Sequence, residues 1–197
     1  GGAFNNIRDY GIFMTNFDPT WLQGDSRLTV DSLPITMSPG STAGAWVYTD
    51  NSYANNPTNS NFTVKRISRK DEPVTDKAVT DNPNSSPSAT LVSALNISNS
   101  TISGAPTGIM VIGTLASANI HDNPTTITGA VIGIDINGGT AAIYRNNITA
   151  NGTGVRVNNS GNLDSATENY ITSNTVEGVT IEADAGSIGI ISYNDLS

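Results

Sequence analysis

The chain contains no cysteine, one histidine and only nine Lys and Arg among its 197 residues. Without cysteine there can be no disulfide and no thiolate-held metal. With His121 the only histidine, any imidazole metal cluster or Ser-His-Asp triad would have to be built around that one ring, and its neighbours Asp122 and Asn123 read as a turn corner. Seventeen acidic residues against nine basic ones give a net charge of −8 and an isoelectric point near 4.3. That balance argues against nucleic acid and anionic membranes as partners, since both need a basic face. No apolar run is long enough to span a bilayer, and no basic n-region leads an apolar stretch, so neither membrane insertion nor a signal peptide is expected of this segment. Helices are disfavoured as well: Gly, Asn and Asp interrupt the Ile, Val and Thr segments every few residues, and no ten-residue run keeps a helical stripe.

What the chain does have is a repeat. From Asn96 to Ser197 an apolar residue, an Asn-rich corner and a second apolar residue lead into Gly-apolar-x-apolar. Ile97 to Ile102 leads to Gly108-Ile109-Met110-Val111, Ile120 to Ile127 to Gly133-Ile134-Asp135-Ile136, Ile143 to Ile148 to Gly154-Val155-Arg156-Val157, and Ala166 to Ile171 to Gly178-Val179-Thr180-Ile181. A fifth copy begins at Ile191. The anchors Ile102, Ile127, Ile148, Ile171 and Leu196 are 25, 21, 23 and 25 residues apart. A period in the low twenties with very short strands is too short for helix pairs and suits a coil of parallel strands. Alternation sets the facing: Ile109/Val111, Ile134/Ile136, Val155/Val157 and Val179/Ile181 point inward and the residue between each pair points out. Two residues before the anchors runs a corner column of Asn146, Asn169 and Asn194, with Ser100 and Thr125 in the earlier copies. Asn suits it because it tolerates left-handed backbone at a bend and because amides stacked one strand apart can form a ladder.

The I-x-x-N-x-I corner followed by G-I-x-I resembles the right-handed parallel β-helix superfamily, which includes pectate lyases, polygalacturonases, phage tailspikes, surface adhesins and β-helix repeat proteins. The resemblance covers about the last 105 residues and a short N-terminal piece, and it implies a fold far more than an activity. The expected architecture is therefore all-β: a right-handed parallel β-helix in one domain over residues 1–197, regular from 91 to 197, with a long irregular insertion or loop region near the N-terminus.

Residues 2 to 14 read as one more copy, with Asn5 two before Ile7 and Gly11-Ile12-Phe13-Met14 as its strand. Between 16 and 90 the repeat is lost. Candidate strands there are Arg27 to Val30, Ile35 to Met37, Ala45 to Tyr48 and Phe62 to Ile67, which fit irregular turns or a protruding loop. Five of the nine basic residues lie between Lys65 and Lys77, ahead of a Pro/Ser/Asn stretch, so Arg69 to Ser88 reads as an exposed, protease-sensitive loop. The chain opens with Gly1-Gly2 and stops just after the anchor Leu196, as expected of a piece of a longer protein.

Candidate chemistry is sparse. The outward column Met110, Asp135, Arg156, Thr180, with Asn137, Asn158 and Glu182 beside it, follows successive turns of the second-strand face. At about 4.8 Å between turns, Asp135 and Arg156 come within pairing distance and Glu182 can join them. In the lyases and glycosidases of the superfamily this kind of exposed face carries the catalytic groups, which makes Asp135, Arg156 and Glu182 the catalytic candidates; against this, one Asp and one Glu on a face otherwise made of Asn and Thr is what a solvated sheet with an ordinary ion pair, or a binding face, looks like. Arg-x-Pro-x-x-Arg, paired aspartates and Gly-Gly-x-Gly-x-Asp are all missing, and no metal or other cofactor is implied. Nine of twelve aromatics lie in the first 62 residues. Among them Trp21, Trp46, Tyr48 and Tyr53 are candidate ligand-binding residues, offering flat apolar faces with a polar tip, while packing within an irregular cap accounts for them as well.

Two function classes follow. One is a non-enzymatic β-solenoid module of a larger secreted or cell-surface protein, acting as stalk, adhesin or scaffold, with carbohydrate or another surface protein as partner. The other is a carbohydrate-active fragment of the pectate-lyase kind, or a tailspike piece. The low-charge, Asn/Ser/Thr/Gly-rich composition favours a secreted or cell-surface setting for both.

Overall fold

The computed structural model of the chain describes residues 4–15, 26–48, 93–124 and 127–197. These residues contain only strands, turns and bends, with no helix among them. In chain order the first strands are β1 (Phe4–Ile7), β2 (Tyr10–Thr15) and β3 (Ser26–Asp31), then β4 (Pro34–Met37), β5 (Ala43–Tyr48) and β6 (Ser93–Ser98). β7 (Thr101–Ser103), β8 (Thr107–Ile112) and β9 (Ala116–His121) follow, then β10 (Ile127–Thr128), β11 (Ile132–Asn137) and β12 (Thr140–Tyr144). β13 (Ile148–Thr149), β14 (Thr153–Asn158), β15 (Asn162–Thr167), β16 (Glu177–Ile181) and β17 (Ile188–Ser192) complete the set.

Up to β15 every third strand joins the same sheet; the last turn contributes no strand to the first sheet, so β16 follows β14 and β17 follows β15. β1-β4-β7-β10-β13 form a narrow five-stranded sheet A, β2-β5-β8-β11-β14-β16 a six-stranded sheet B, and β3-β6-β9-β12-β15-β17 a six-stranded sheet C. All the pairings between these strands are parallel, as they must be when a chain returns to each sheet after a full turn. The protein is a parallel β-helix.

The register is that of the repeat. Ile109, Ile134, Val155 and Val179 stand in line on sheet B, and Ile97, Ile120, Ile143, Ala166 and Ile191 on sheet C. Parallel sheets closed around a lumen need apolar side chains on the inner face of every strand, and Ile97, Ile102, Ile109, Ile120, Ile134, Ile136, Ile143 and Ile148 are fully buried there. Val179, on the terminal strand of sheet B, is only partly buried.

The glycine that opens each sheet B strand has a steric reason. A Cβ on Gly133 would lie 2.6 Å from the carbonyl oxygen of Gly154 and 2.8 Å from Cγ2 of Ile148. The anchor isoleucine of the next turn fills the space that a side chain would take, which is why the anchor and the glycine recur together.

An N-terminal turn is present, with β1 and β2 stacking on β4 and β5 and Ile12 in line with Ala45 as read, but its corner is set differently: Phe4, not Ile7, pairs with Ile35 of the anchor column, so Asn5 falls opposite Thr36 and outside the corner column. Of the four candidate strands between 16 and 90, the first three are β3, β4 and β5, so residues 26–48 belong to the coil. Phe62 to Ile67 and the loop Arg69 to Ser88 lie outside the described residues.

Two features of the corner differ from the sequence reading. The left-handed backbone falls not on the asparagine but on the residue before it: Asn99, Asp122, Arg145, Glu168 and Tyr193 have φ between 48° and 56°. The member of the column ahead of Asn146 is Asn123, not Thr125, which lies outside the described residues. The corner after β9 carries two additional residues before its anchor, so counting back from Ile127 misses the ladder.

Candidate functional site

Sheet B presents the outward column expected of it. Met110, Asp135, Arg156 and Thr180 are in register on β8, β11, β14 and β16. Arg156 grips Asp135 with two hydrogen bonds, Nε donating to Oδ1 at 3.0 Å and a terminal nitrogen donating to Oδ2 at 2.8 Å. Its Nε also lies 3.9 Å from a Glu182 carboxylate oxygen. The hydrogen bonds to Asp135 hold the Arg156 pKa above its ordinary value.

Asp135 is not the exposed side chain that an outward position suggests. It retains only 2% of its accessible surface, lying in register between Met110 and the long Arg156 side chain. The structure thus brings Asp135, Arg156 and Glu182 together but commits both oxygens of Asp135 to one guanidinium. On the same face Thr180 Oγ1 donates to Glu177.

The same face turns aromatic toward the N-terminus. Trp46 of β5 follows Phe13 of β2 and precedes Met110 in the column. Its ring centroid is 4.7 Å from Tyr10, 5.3 Å from Phe13 and 5.9 Å from Tyr48. Phe13 is half exposed, while Tyr10, Trp46 and Tyr48 are partly buried. Trp46 Nε1 is buried without a hydrogen-bond acceptor. Of the candidate binding residues, Trp46 and Tyr48 therefore share a cluster with Tyr10 and Phe13, whereas Trp21 and Tyr53 lie outside the described residues.

His121 ends β9 at the edge of a polar network. Its ring stacks on Tyr144 at 5.0 Å and 8°, Nδ1 lies 2.7 Å from Asp122 Oδ2, and Nε2 lies 3.0 Å from Asn96 Oδ1. Arg145 donates to both Asp122 oxygens and caps the Tyr144 ring at 4.8 Å. The Arg145 and His121 hydrogen bonds hold the Asp122 carboxyl far below the usual range. Among the described residues no group of three or more His, Asp or Glu is placed to hold a metal ion.

Beneath this network runs the asparagine ladder. Nδ2 of Asn123 donates to Asn146 Oδ1 at 2.7 Å, that of Asn146 to Asn169 Oδ1 at 3.0 Å, and that of Asn169 to Asn194 Oδ1 at 2.9 Å. Each Nδ2 also reaches a backbone carbonyl, Asn146 that of Ile120 and Asn169 that of Ile143. The Oδ1 atoms accept from main-chain N–H groups as well: Ser100 bonds Asn123, Asn146 bonds Asn169, and Asn169 bonds Asn194. A second ladder stands at the next corner. Ala130 N donates to Asn151 Oδ1 and Asn151 N to Asn174 Oδ1, while the two amides donate to the carbonyls of Ile127 and Ile148. The sequence reading missed it, although Asn151 and Asn174 each stand three residues after an anchor.

No family model matches the chain, and no curated protein or solved structure matches it either. The assignment to a parallel β-helix therefore rests on strand order and register alone.

Proposed function

We propose that this chain is a non-enzymatic β-solenoid module of a larger extracellular or cell-surface protein, serving as a stalk, adhesin or scaffold segment. The observation that carries this reading is the state of Asp135. A general acid or base must reach the proton it moves, and a glycosidase needs two carboxyl groups open to the same bond. Asp135 is buried and held at both oxygens by Arg156, which leaves Glu182 as the one accessible carboxylate of the candidate trio. The same pair gives Arg156 a structural task, neutralising a carboxylate removed from water. The outer faces of sheets A and C carry Ser, Thr and Asn, as in the columns Ser103-Thr128-Thr149 and Asn96-Asn119, over a regular lumen, as suits a rigid spacer built by repetition. The acidic, low-charge, Asn/Ser/Thr/Gly-rich composition fits a secreted or surface setting.

The test is cleavage. The chain is incubated with uronate-containing and neutral polysaccharides, with and without calcium, beside a variant carrying Asp135→Asn and Glu182→Gln. No release of oligosaccharides by either is expected. Release by the parent chain and not by the variant would replace this reading with a carbohydrate-active module of the pectate-lyase kind.

A further inference from the structure

The chain between its N-terminal aromatics and Ser197 is poor in aromatic residues. After Phe62 there are three, Tyr144, Tyr170 and Tyr193, and all three sit at the corner that carries the Asn146-Asn169-Asn194 ladder. Outside this ladder runs an open groove of about 1060 Å³. One wall is the column Arg145, Glu168, Tyr193, and the other is the column Asn147, Tyr170, Asp195, whose members bridge one another in register. Tyr170 is 62% exposed and Tyr193 87% exposed.

Tyr193 is also in the wrong backbone for its type. It occupies the left-handed position of the corner at φ 56°, a conformation that Asn and Asp tolerate and that a bulky aromatic residue disfavours. Tyr170 shows that stacking alone does not cover such a ring: flanked in its column by Asn147 on one turn and Asp195 on the next, it is still largely exposed. An exposed aromatic kept at a strained position points to a task outside the fold. The rest of the groove indicates what the rings meet. Glu168 and Asp195 are hydrogen-bond acceptors, and the Asn147 side chain is both donor and acceptor. Among the described residues the walls offer no aliphatic pocket of the kind that anchors a peptide side chain. Flat phenol rings edged by acceptors and donors match the faces of sugar rings and their rim of hydroxyls. Among the described residues lining the groove the one cation is Arg145, which is already engaged by Asp122, and two carboxylates flank the groove, so a polyanionic chain would be repelled.

We propose that this corner groove is a binding site for a neutral glycan, lying along the helix axis and stacking on Tyr170 and Tyr193. It is separate from the outer face of sheet B, and the cleavage assay neither supports nor undermines it.

The test is affinity electrophoresis of the whole chain through gels cast with neutral polysaccharides (β-glucan, xylan, galactomannan) or uronates (polygalacturonate, alginate). Retardation is expected in at least one neutral gel. Tyr170→Ala and Tyr193→Asn should each abolish it, while Phe13→Ala, on the aromatic face of sheet B, should leave it intact. Tyr193→Asn also separates binding from folding: asparagine suits the left-handed corner, so this variant should melt at a higher temperature than the parent while losing its ligand. No retardation in any neutral gel, retardation by uronates alone, retardation untouched by both tyrosine variants, or loss with Phe13→Ala would each overturn the proposal.

Discussion

At the scale of single residues, the corner asparagines show how a polar group can be buried without penalty. Asn146 and Asn169 are almost wholly inaccessible, and a buried amide with unmet hydrogen bonds would be costly. Both meet their needs by joining successive turns: Asn146 Oδ1 takes the Asn123 amide, Asn169 Oδ1 takes the amide and the main-chain N–H of Asn146, and each Nδ2 reaches the next asparagine and a carbonyl. Removing one member strands several partners at once. Asn169→Ala leaves the main-chain N–H and amide of Asn146 without their acceptor and Ile143 O without its donor, so a loss of about 2 kcal/mol or more is expected at the unsatisfied-group scale. Asn169→Asp should do no better at neutral pH, because a carboxylate oxygen would then face Ile143 O and Asn194 Oδ1, both acceptors. Denaturant unfolding of the two variants beside the parent decides it, and midpoints equal to the parent's would mean that the ladder contributes nothing. Asp135 follows the same logic with charge, since its buried carboxylate is tolerable only because Arg156 grips both oxygens.

At the scale of the strand, the coupling of glycine to anchor isoleucine explains why so much of this fold is legible in sequence. A side chain at Gly133 collides with the Gly154 carbonyl and with Ile148, so the repeat writes Gly-apolar-x-apolar wherever an anchor comes next. Gly133→Ala is therefore expected to destabilise by about 2 kcal/mol, the usual cost of forcing extra volume into a packed interior. Gly40→Ala is the natural control: a Cβ there meets nothing within 4 Å, although its φ of 86° adds its own strain. If thermal melts showed Gly133→Ala to be the milder of the two, the close approach of successive turns would be disproved.

What escaped the sequence reading has equally local causes. Two additional residues in the corner after β9 moved the ladder from the place of Thr125 to Asn123. The left-handed bend preceded the asparagine because Asn must turn its amide inward, so the residue ahead of it absorbs the turn. The repeat fixed the facing of Asp135 but not its coverage, which depends on how a long arginine from the next strand folds across it. The aromatic cluster of Tyr10, Phe13, Trp46 and Tyr48 was hidden because β5 lies in a stretch where the repeat is hard to recognise, Ala45 standing where Ile109 and Ile134 stand later.

At the scale of the whole molecule, stacking in one dimension makes stability uneven. Each turn touches only the turn before and the turn after, so an end turn has half the interface of an interior one. The inward residues record this directly. Ile136 and Ile143 are fully buried, whereas Ile181 and Ile191, in the same two columns on β16 and β17, remain 46% and 41% exposed. Opening the last turn therefore exposes little additional apolar surface and gives up one set of ladder hydrogen bonds, while opening an interior turn disrupts two interfaces. Local opening should start at β16 and β17 and advance inward, with global unfolding needed to release β11 and β12. In native-state amide exchange of the 197-residue chain, hydrogen-bonded amides of β16 and β17 should exchange on the order of a hundredfold faster than those of β11 and β12, since a turn's interface is worth a few kcal/mol. Added denaturant should accelerate the interior amides more steeply, because their exchange requires more surface to be exposed. Uniform protection and a single denaturant slope from β8 to β17 would show instead that the asparagine ladders bind the turns into one cooperative unit.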